Sequence, residues 1–236
     1  MKNSSSLVVA VVLLLGTCTA TTQAQVSYAP VRDAPRNFQV HVKSWTAFRD
    51  QNVVKQQRDY SCGAAAVATL CRYYWGDNVT EAQVLRIVEG SLTREELQER
   101  VQNGLAISDL RVAAVKMGYL STIGKLTIAK LHEAKVPLVV ALRLEESNHF
   151  VVVRGIRYGW VYLADPIRGN VRMPLWEFEQ RWIENAVLVI AKRGQTKSDV
   201  SRLGITHAEM SKGWLNDQVL RTFPEKTIQN PRNSFP

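Results

Sequence analysis

From Cys62 to Tyr74 the chain, CGAAAVATLCRYY, reads as one helix with a buried face. Val67, Leu70, Cys71 and Tyr74 recur at i, i+3, i+4 and i+7, the spacing that lines up apolar side chains on one side of a helix. Gly63 and Ala64 to Ala66 keep its first turns small, which leaves room either for a substrate or for close packing against a sheet. The same helix separates its two cysteines. Nine residues of helix hold the Cα atoms of Cys62 and Cys71 about 13 Å apart and on opposite sides, beyond the roughly 7 Å limit for a disulfide. Both are expected as free thiols.

Free thiols are out of place where this chain is expected to work. Lys2 precedes an apolar run from Leu7 to Leu15, and small or polar residues follow up to Thr22-Gln23-Ala24, the layout of a secretory signal peptide. Residues 1–24 are expected to be removed after Ala24, with Ala20 as second choice. Leu15-Gly16-Thr17-Cys18 has a loose likeness to a lipoprotein acylation site, so lipid anchoring at Cys18 is the less favoured alternative. No other segment approaches the roughly 20 apolar residues that cross a bilayer. The mature chain is thus expected to be periplasmic or secreted, with no transmembrane segment, in a compartment where structural cysteines normally pair. Cys71, on the apolar stripe, is explained as a small core residue. Cys62 is not so easily explained. Asp59 and Ser61 are good N-cap types, so Cys62 falls in the first turn, where unpaired N–H groups and the helix dipole favour the thiolate, the nucleophilic form.

A nucleophile needs a base. His132 sits in a helix of mixed polarity, and His41 and His207 lie in flanking regions without a strong apolar pattern. His149 instead opens HFVVVRGI, whose β-branched run reads as a buried strand. Gly159 suits a tight turn and Trp160 to Ala164 read as the return strand of a hairpin. That hairpin brings Asp165 within a residue or two of the position opposite His149, where it could orient the imidazole and stabilise its protonated form. The plainer reading is that Asp165-Pro166 only starts a loop.

With these residues in view, the sequence resembles the papain-like, bacteriocin-processing cysteine peptidases that cut leader peptides after a double glycine. The likeness runs from about Asn52 to Lys192. Cys62-Gly63 matches the nucleophile and the glycine after it, and Tyr73-Tyr74 with Gly76 the end of the nucleophile helix. His149 with its apolar strand matches the base, Asp165-Pro166 with Gly169 the acid and its turn, and Phe178 with Trp182 the downstream aromatics. The resemblance implies that Gln56, six residues before the cysteine, helps form the oxyanion hole, with Gln57 as the weaker candidate. An acidic residue commonly precedes the cysteine in that family; here Ser61 does, and the nearest acid is Asp59. Transporter members carry membrane helices and an ATPase; this chain shows no Gly-rich phosphate loop and is expected to be a stand-alone, exported form. Such forms occur beside outer-membrane secretion and functional-amyloid export systems, which makes a polypeptide of such a system the implied substrate.

The rest of the chain agrees with an α+β, papain-like layout in which N-terminal helices pack on an antiparallel sheet. Thr80-Glu81-Ala82-Gln83 and Thr93-Arg94-Glu95-Glu96 are capping boxes, and Ser108 starts a helix ending at Gly118. Strands are expected at 119–123, 136–142, 149–156, 160–164 and 186–191, and a helix from Pro174 to Trp182. The expected division is a signal peptide at 1–24, an N-terminal arm at 25–50, the peptidase domain at 51–193 and a polar C-terminal extension at 194–236. Thr206-His207-Ala208-Glu209 opens a helix in that extension, which has the choice of packing on the domain, occupying the cleft or binding a partner. A formal charge of +9 raises nucleic acid as a ligand. The Lys and Arg residues are interleaved with Glu, and no aromatic-basic array suggests base stacking, so a solvated surface is expected. No His/Cys cluster has zinc-ligand spacing, and no metal or other cofactor is expected. Two functions remain: a thiol peptidase using Cys62, His149, Asp165 and Gln56, and a catalytically silent peptide-binding accessory protein of an export system.

Overall fold

The computed structural model describes residues 27–30, 39–42, 44–144 and 148–210. The expected signal peptide, Cys18 and the tail beyond residue 210 lie outside them. The chain divides into two units, residues 1–44 and 45–236. In the first, strands β1 (Ser27–Pro30) and β2 (Gln39–Val42) pair antiparallel. The second opens with a short helix α1 (Trp45–Arg49) and continues through α2 (Cys62–Tyr73), α3 (Glu81–Glu89), α4 (Arg94–Asn103) and α5 (Ile107–Lys116). Then come β3 (Leu120–Lys125), α6 (Ile128–Glu133), β4 (Leu138–Arg143), β5 (Asn148–Arg157), β6 (Trp160–Asp165), β7 (Gly169–Pro174), α7 (Leu175–Arg181) and β8 (Trp182–Ala191). The α+β reading holds: helices precede a six-stranded antiparallel sheet of order β3-β8-β4-β5-β6-β7.

Helix α2 lies between this sheet and the other helices. Every residue from Cys62 to Cys71 is buried, and Ala64 to Ala68 have no exposed surface. A helix apolar on all sides has to be surrounded, and α2 packs on β5 on one side and on α3 and α5 on the other. The small residues of its first turns serve that packing. A Cβ added to Gly63 would lie 2.8 Å from Leu110 Cδ1 and 3.1 Å from Phe150 Cδ2. One core fills the space between helices and sheet, from Val67 and Leu70 to Val139 and Val152; a second, built on Phe178 and Trp182, covers the far side.

The capping boxes at Thr80 and Thr93 form as expected. Helix α5 starts one residue before Ser108, and the carboxylate of Asp109 accepts the Ala106 N–H at 2.9 Å. Ser61 precedes α2 but makes no side-chain cap; its hydroxyl is engaged elsewhere. Strand β7 is an addition to the expected set. It pairs with β6 from Asp165↔Gly169 to Trp160↔Pro174 and forms an edge of the sheet, where the missing N–H of Pro174 breaks no internal ladder.

Candidate active site

Three elements converge on one buried point. Cys62 is the first residue of α2, His149 the second of β5, and Asp165 the last of β6. The three are 5%, 3% and 0% exposed, so each must find its polar partners within the protein. His149 Nε2 donates to Asp165 Oδ1 at 2.9 Å. The Cys62 side chain lies close enough to the same ring to shift its pKa, and with Nε2 committed to the carboxylate, Nδ1 is the nitrogen left for the sulfur.

The β5–β6 hairpin brings the histidine and aspartate together through a bulge. Arg157 faces Trp160 and Gly155 faces Tyr162, but between Gly155 and Val153 the register shifts by one, so that Val152 faces Ala164. Continued to its end, this register sets Asp165 opposite Val151, two residues from His149 along β5. Both readings of Asp165-Pro166 therefore apply. The carboxylate also organises the turn: Oδ1 accepts the N–H of Ile167 at 2.7 Å and of Arg168 at 3.0 Å, and Oδ2 accepts Arg168 Nε at 3.0 Å.

These contacts set the charges. Burial works against a charged His149, but the hydrogen bonds and charges of Asp165 and Cys62 outweigh it and raise its pKa from 6.5 to about 9. Burial likewise works against the Asp165 carboxylate, yet the His149 bond and charge and the two turn N–H groups lower its pKa from 3.8 to about 2. At neutral pH the pair is an imidazolium on a carboxylate. Cys71 is different in kind. Burial is the main cause that pushes its thiol up to about 12, and it sits in the core with no disulfide partner. As read from the helix, both cysteines are free.

Gln56 lies in the loop leading into α2. Its backbone N–H donates to Pro166 O at 3.1 Å, which ties it to the turn that Asp165 organises. Its side-chain Nε2 donates one hydrogen to Arg58 O at 3.1 Å and has a second to offer, while Oε1 is buried with no partner. Lys55 Nζ bonds Ile167 O in the same turn. Gln57 is held by its backbone N–H, which donates to Glu81 Oε1 at 2.9 Å. Of the other histidines, His132 is exposed on α6. Among the described residues no group of three or more His, Cys, Asp or Glu could hold a metal ion.

Sequence reasoning missed Arg168 and Glu81. Arg168, three residues after the acid, was legible only as one more surface cation. Glu81 follows the N-cap Thr80, where the helix dipole already accounts for a carboxylate, and nothing local shows that it is buried.

The Peptidase C39 family model matches residues 50–195. Among curated proteins, the "Probable functional amyloid protease FapD" of Pseudomonas fluorescens is 30% identical over 159 residues, covering 67% of this chain and 68% of its own. The protein of the same name from Pseudomonas aeruginosa is 29% identical over 162 residues, covering 69% and 70%. Among solved structures, the peptidase domain of Streptococcus ComA, a bifunctional ABC transporter, superposes with a TM-score of 0.51 at 19% identity, covering 60% of this chain and 98% of that domain.

Proposed function

Since the chain belongs to the Peptidase C39 family, a family of cysteine peptidases, we propose that Cys62 is its nucleophile, His149 its base, Asp165 the acid that orients the base, and Gln56 an oxyanion donor. The observation that carries this reading is the buried cluster in which His149 bonds Asp165 at 2.9 Å and stands beside the Cys62 side chain. In the reacting form His149 already holds on Nδ1 the proton given up by Cys62, and the thiolate attacks the peptide carbonyl. The negative charge that develops on the carbonyl oxygen is met by the free hydrogen of Gln56 Nε2 and the backbone N–H of Cys62, at the N-terminus of α2. The imidazolium returns its proton to the leaving amine. Water, deprotonated by the same ring, then releases the acyl group from sulfur. Asp165 holds the ring through Nε2, and Arg168 and the turn N–H groups hold Asp165, so the base cannot rotate away between the two steps.

The signal-peptide pattern of residues 1–24 supports an exported enzyme, with residues 51–193 as the peptidase domain. The FapD relatives support a polypeptide of an outer-membrane or amyloid export system as substrate. The test compares secreted, outer-membrane and cytoplasmic polypeptides, by mass spectrometry, from cells making wild-type or Cys62→Ser protein. New termini that need the thiol identify the substrate. Their absence wherever the protein is made would favour a silent peptide-binding role, and termini in the cytoplasm alone would overturn export.

A further inference from the structure

The loop 56–61 carries both Gln56 and the residue before Cys62, yet packing does not hold its outer side. Behind it lies a cavity of about 160 Å³, lined by Gln57, Arg58, Glu81, Leu85 and Glu89 among others. Helix α3 brings two carboxylates to this gap, the buried Glu81 and the part-exposed Glu89. Glu81 Oε1 accepts the Gln57 N–H at 2.9 Å and also bonds the Ser61 hydroxyl. The Ser61 oxygen in turn accepts the Arg58 N–H at 3.2 Å and lies 2.7 Å from Arg58 O, the same carbonyl that receives Gln56 Nε2. One carboxylate oxygen thus grips the loop at both ends, next to the proposed oxyanion donor and next to the proposed nucleophile.

Glu81 is only 5% exposed and forms no ion pair among the described residues. A buried carboxylate without a cation is costly unless hydrogen bonds compensate; here they come from the loop, and the dipole at the N-terminus of α3 adds to them. Glu89 also holds the middle of the loop, through Arg58 Nη1 at 3.0 Å and the Tyr60 hydroxyl at 3.1 Å, but Glu81 is the acid that meets the loop at both ends, beside Gln56 and Cys62. We propose that Glu81 is a positioning residue for the oxyanion hole: its carboxylate fixes loop 56–61 so that Gln56 stays in register with Cys62. This rests on the assignment of Gln56 and Cys62 made above.

The oxyanion hole acts on the transition state, so its misalignment lowers kcat and leaves KM nearly unchanged. It has no part in the alkylation of Cys62 by iodoacetamide, which depends on the thiol and His149. The full chain is assayed with a peptide amide ending in Gly-Gly, beside alkylation rates over a pH range and urea unfolding. Removing an oxyanion donor outright costs roughly 10²–10³ in kcat, so losing its positioner, in Glu81→Ala, is expected to cost about 10-fold to 100-fold, with alkylation within about twofold of wild type. Glu81→Gln keeps an acceptor at the same reach and should recover more than half of that loss on a logarithmic scale. Wild-type kcat in folded Glu81→Ala, alkylation that falls in step with kcat, or a Gln variant no better than Ala overturns the proposal. If the Ala variant does not fold, Glu81→Asp, which keeps the charge at a helix start but withdraws it by one methylene, is judged by the same kcat and alkylation readings. Cys62→Ser run in parallel separates the two levels: near-normal turnover there overturns the catalytic assignment itself, whereas an inactive Cys62→Ser beside a fully active Glu81→Ala overturns only the role of Glu81.

Discussion

At the scale of single residues, the pKa values of His149 and Asp165 make the mechanism testable by pH. Cys62→Ser and His149→Ala should each lower kcat/KM by at least about 10³-fold, because each removes a group that takes part in bond making; single-turnover assays on folded variants decide this. Asp165→Asn keeps an acceptor for Nε2 but loses the charge. It should lower kcat/KM by roughly 10-fold to 10³-fold and leave a measurable residue of activity. It should also move the profile. Wild-type activity should decline as His149 loses its proton near pH 9, and without the Asp165 charge that decline should begin at lower pH. An unmoved alkaline limb would detach Asp165 from the base. Stability carries the same signature. The folded pKa of His149, about 9, lies above its ordinary 6.5, so the contribution of its partners is complete below about pH 6.5 and is lost as pH rises through 9. The folded pKa of Asp165, about 2, lies below its ordinary 3.8, so its share is complete above about pH 3.8 and lost as pH falls toward 2. Urea unfolding should therefore show wild-type stability falling between about pH 6.5 and 9 by a component that His149→Ala lacks.

At the scale of elements, the first turn of α2 sets two effects against each other. In an open helix Gly63→Ala would stabilise by about 1 kcal/mol through helix propensity. Here the new methyl meets Leu110 at 2.8 Å and Phe150 at 3.1 Å, both buried in the core and unable to move aside, and overpacking of this kind costs about 1–3 kcal/mol. The net expectation is a loss of about 1 kcal/mol in urea unfolding, with reduced turnover because the displaced residue adjoins Cys62. A stabilised variant would mean that the helix can shift. The sequence shows this element well because its message is local: an apolar stripe, small residues and one cysteine at the start. Strands β4, β5, β6 and β8 are legible for the same reason, as β-branched runs. Strand β7 is not, since Gly169 to Pro174 has no apolar run and its pairing is imposed by the turn at Asp165. Nor was the full length of β8 legible. The chain turns from helix to strand at Trp182, with Glu184 and Asn185 at φ of 51° and 56°, a change of direction that nothing in WIENAV announces. The candidate site was legible as far as it depends on Cys62, His149 and Asp165. Glu81 was not, because its burial comes from the packing of α3 against the loop before α2.

At the scale of the whole molecule, the segment 198–210 shows how the polar extension is held. The Ser198 N–H donates to the Tyr74 hydroxyl at 3.2 Å and the Arg202 N–H to Tyr73 O at 2.7 Å, at the C-terminal end of α2, and Leu203 is buried at 2% exposure. The clasp is Arg154. It interrupts the apolar run of β5 with a charge whose side chain is only 4% exposed, and it finds Glu209 at 2.6 and 3.0 Å, the carbonyls of Leu203 at 3.0 Å and Gly204 at 2.6 Å, and Asn170 Oδ1 at 2.7 Å. Asn170, on β7, donates in turn to Gln51 O at 2.7 Å, so the clasp reaches the chain that leads into loop 56–61. Of the three roles open to the extension, this segment packs on the domain. Breaking a buried pair by removing one partner costs about 3–5 kcal/mol. Arg154 would keep three neutral acceptors, so Glu209→Ala should cost about 2–3 kcal/mol. Burial works against the Glu209 carboxylate, but the Arg154 bond and charge hold its pKa below the ordinary 4.5, so this contribution is present above about pH 4.5 and is lost as pH falls further. Urea unfolding at neutral pH and near pH 3 should show the gap between wild type and variant closing. Catalysis tells a clasp from a plug. Because Cys62, His149 and Asp165 are held by bonds that do not involve the segment, a chain ending at Lys197 should unfold at lower urea and, where folded, turn over peptide no faster than wild type. A folded truncation with higher turnover would mean instead that the extension restrains the cleft.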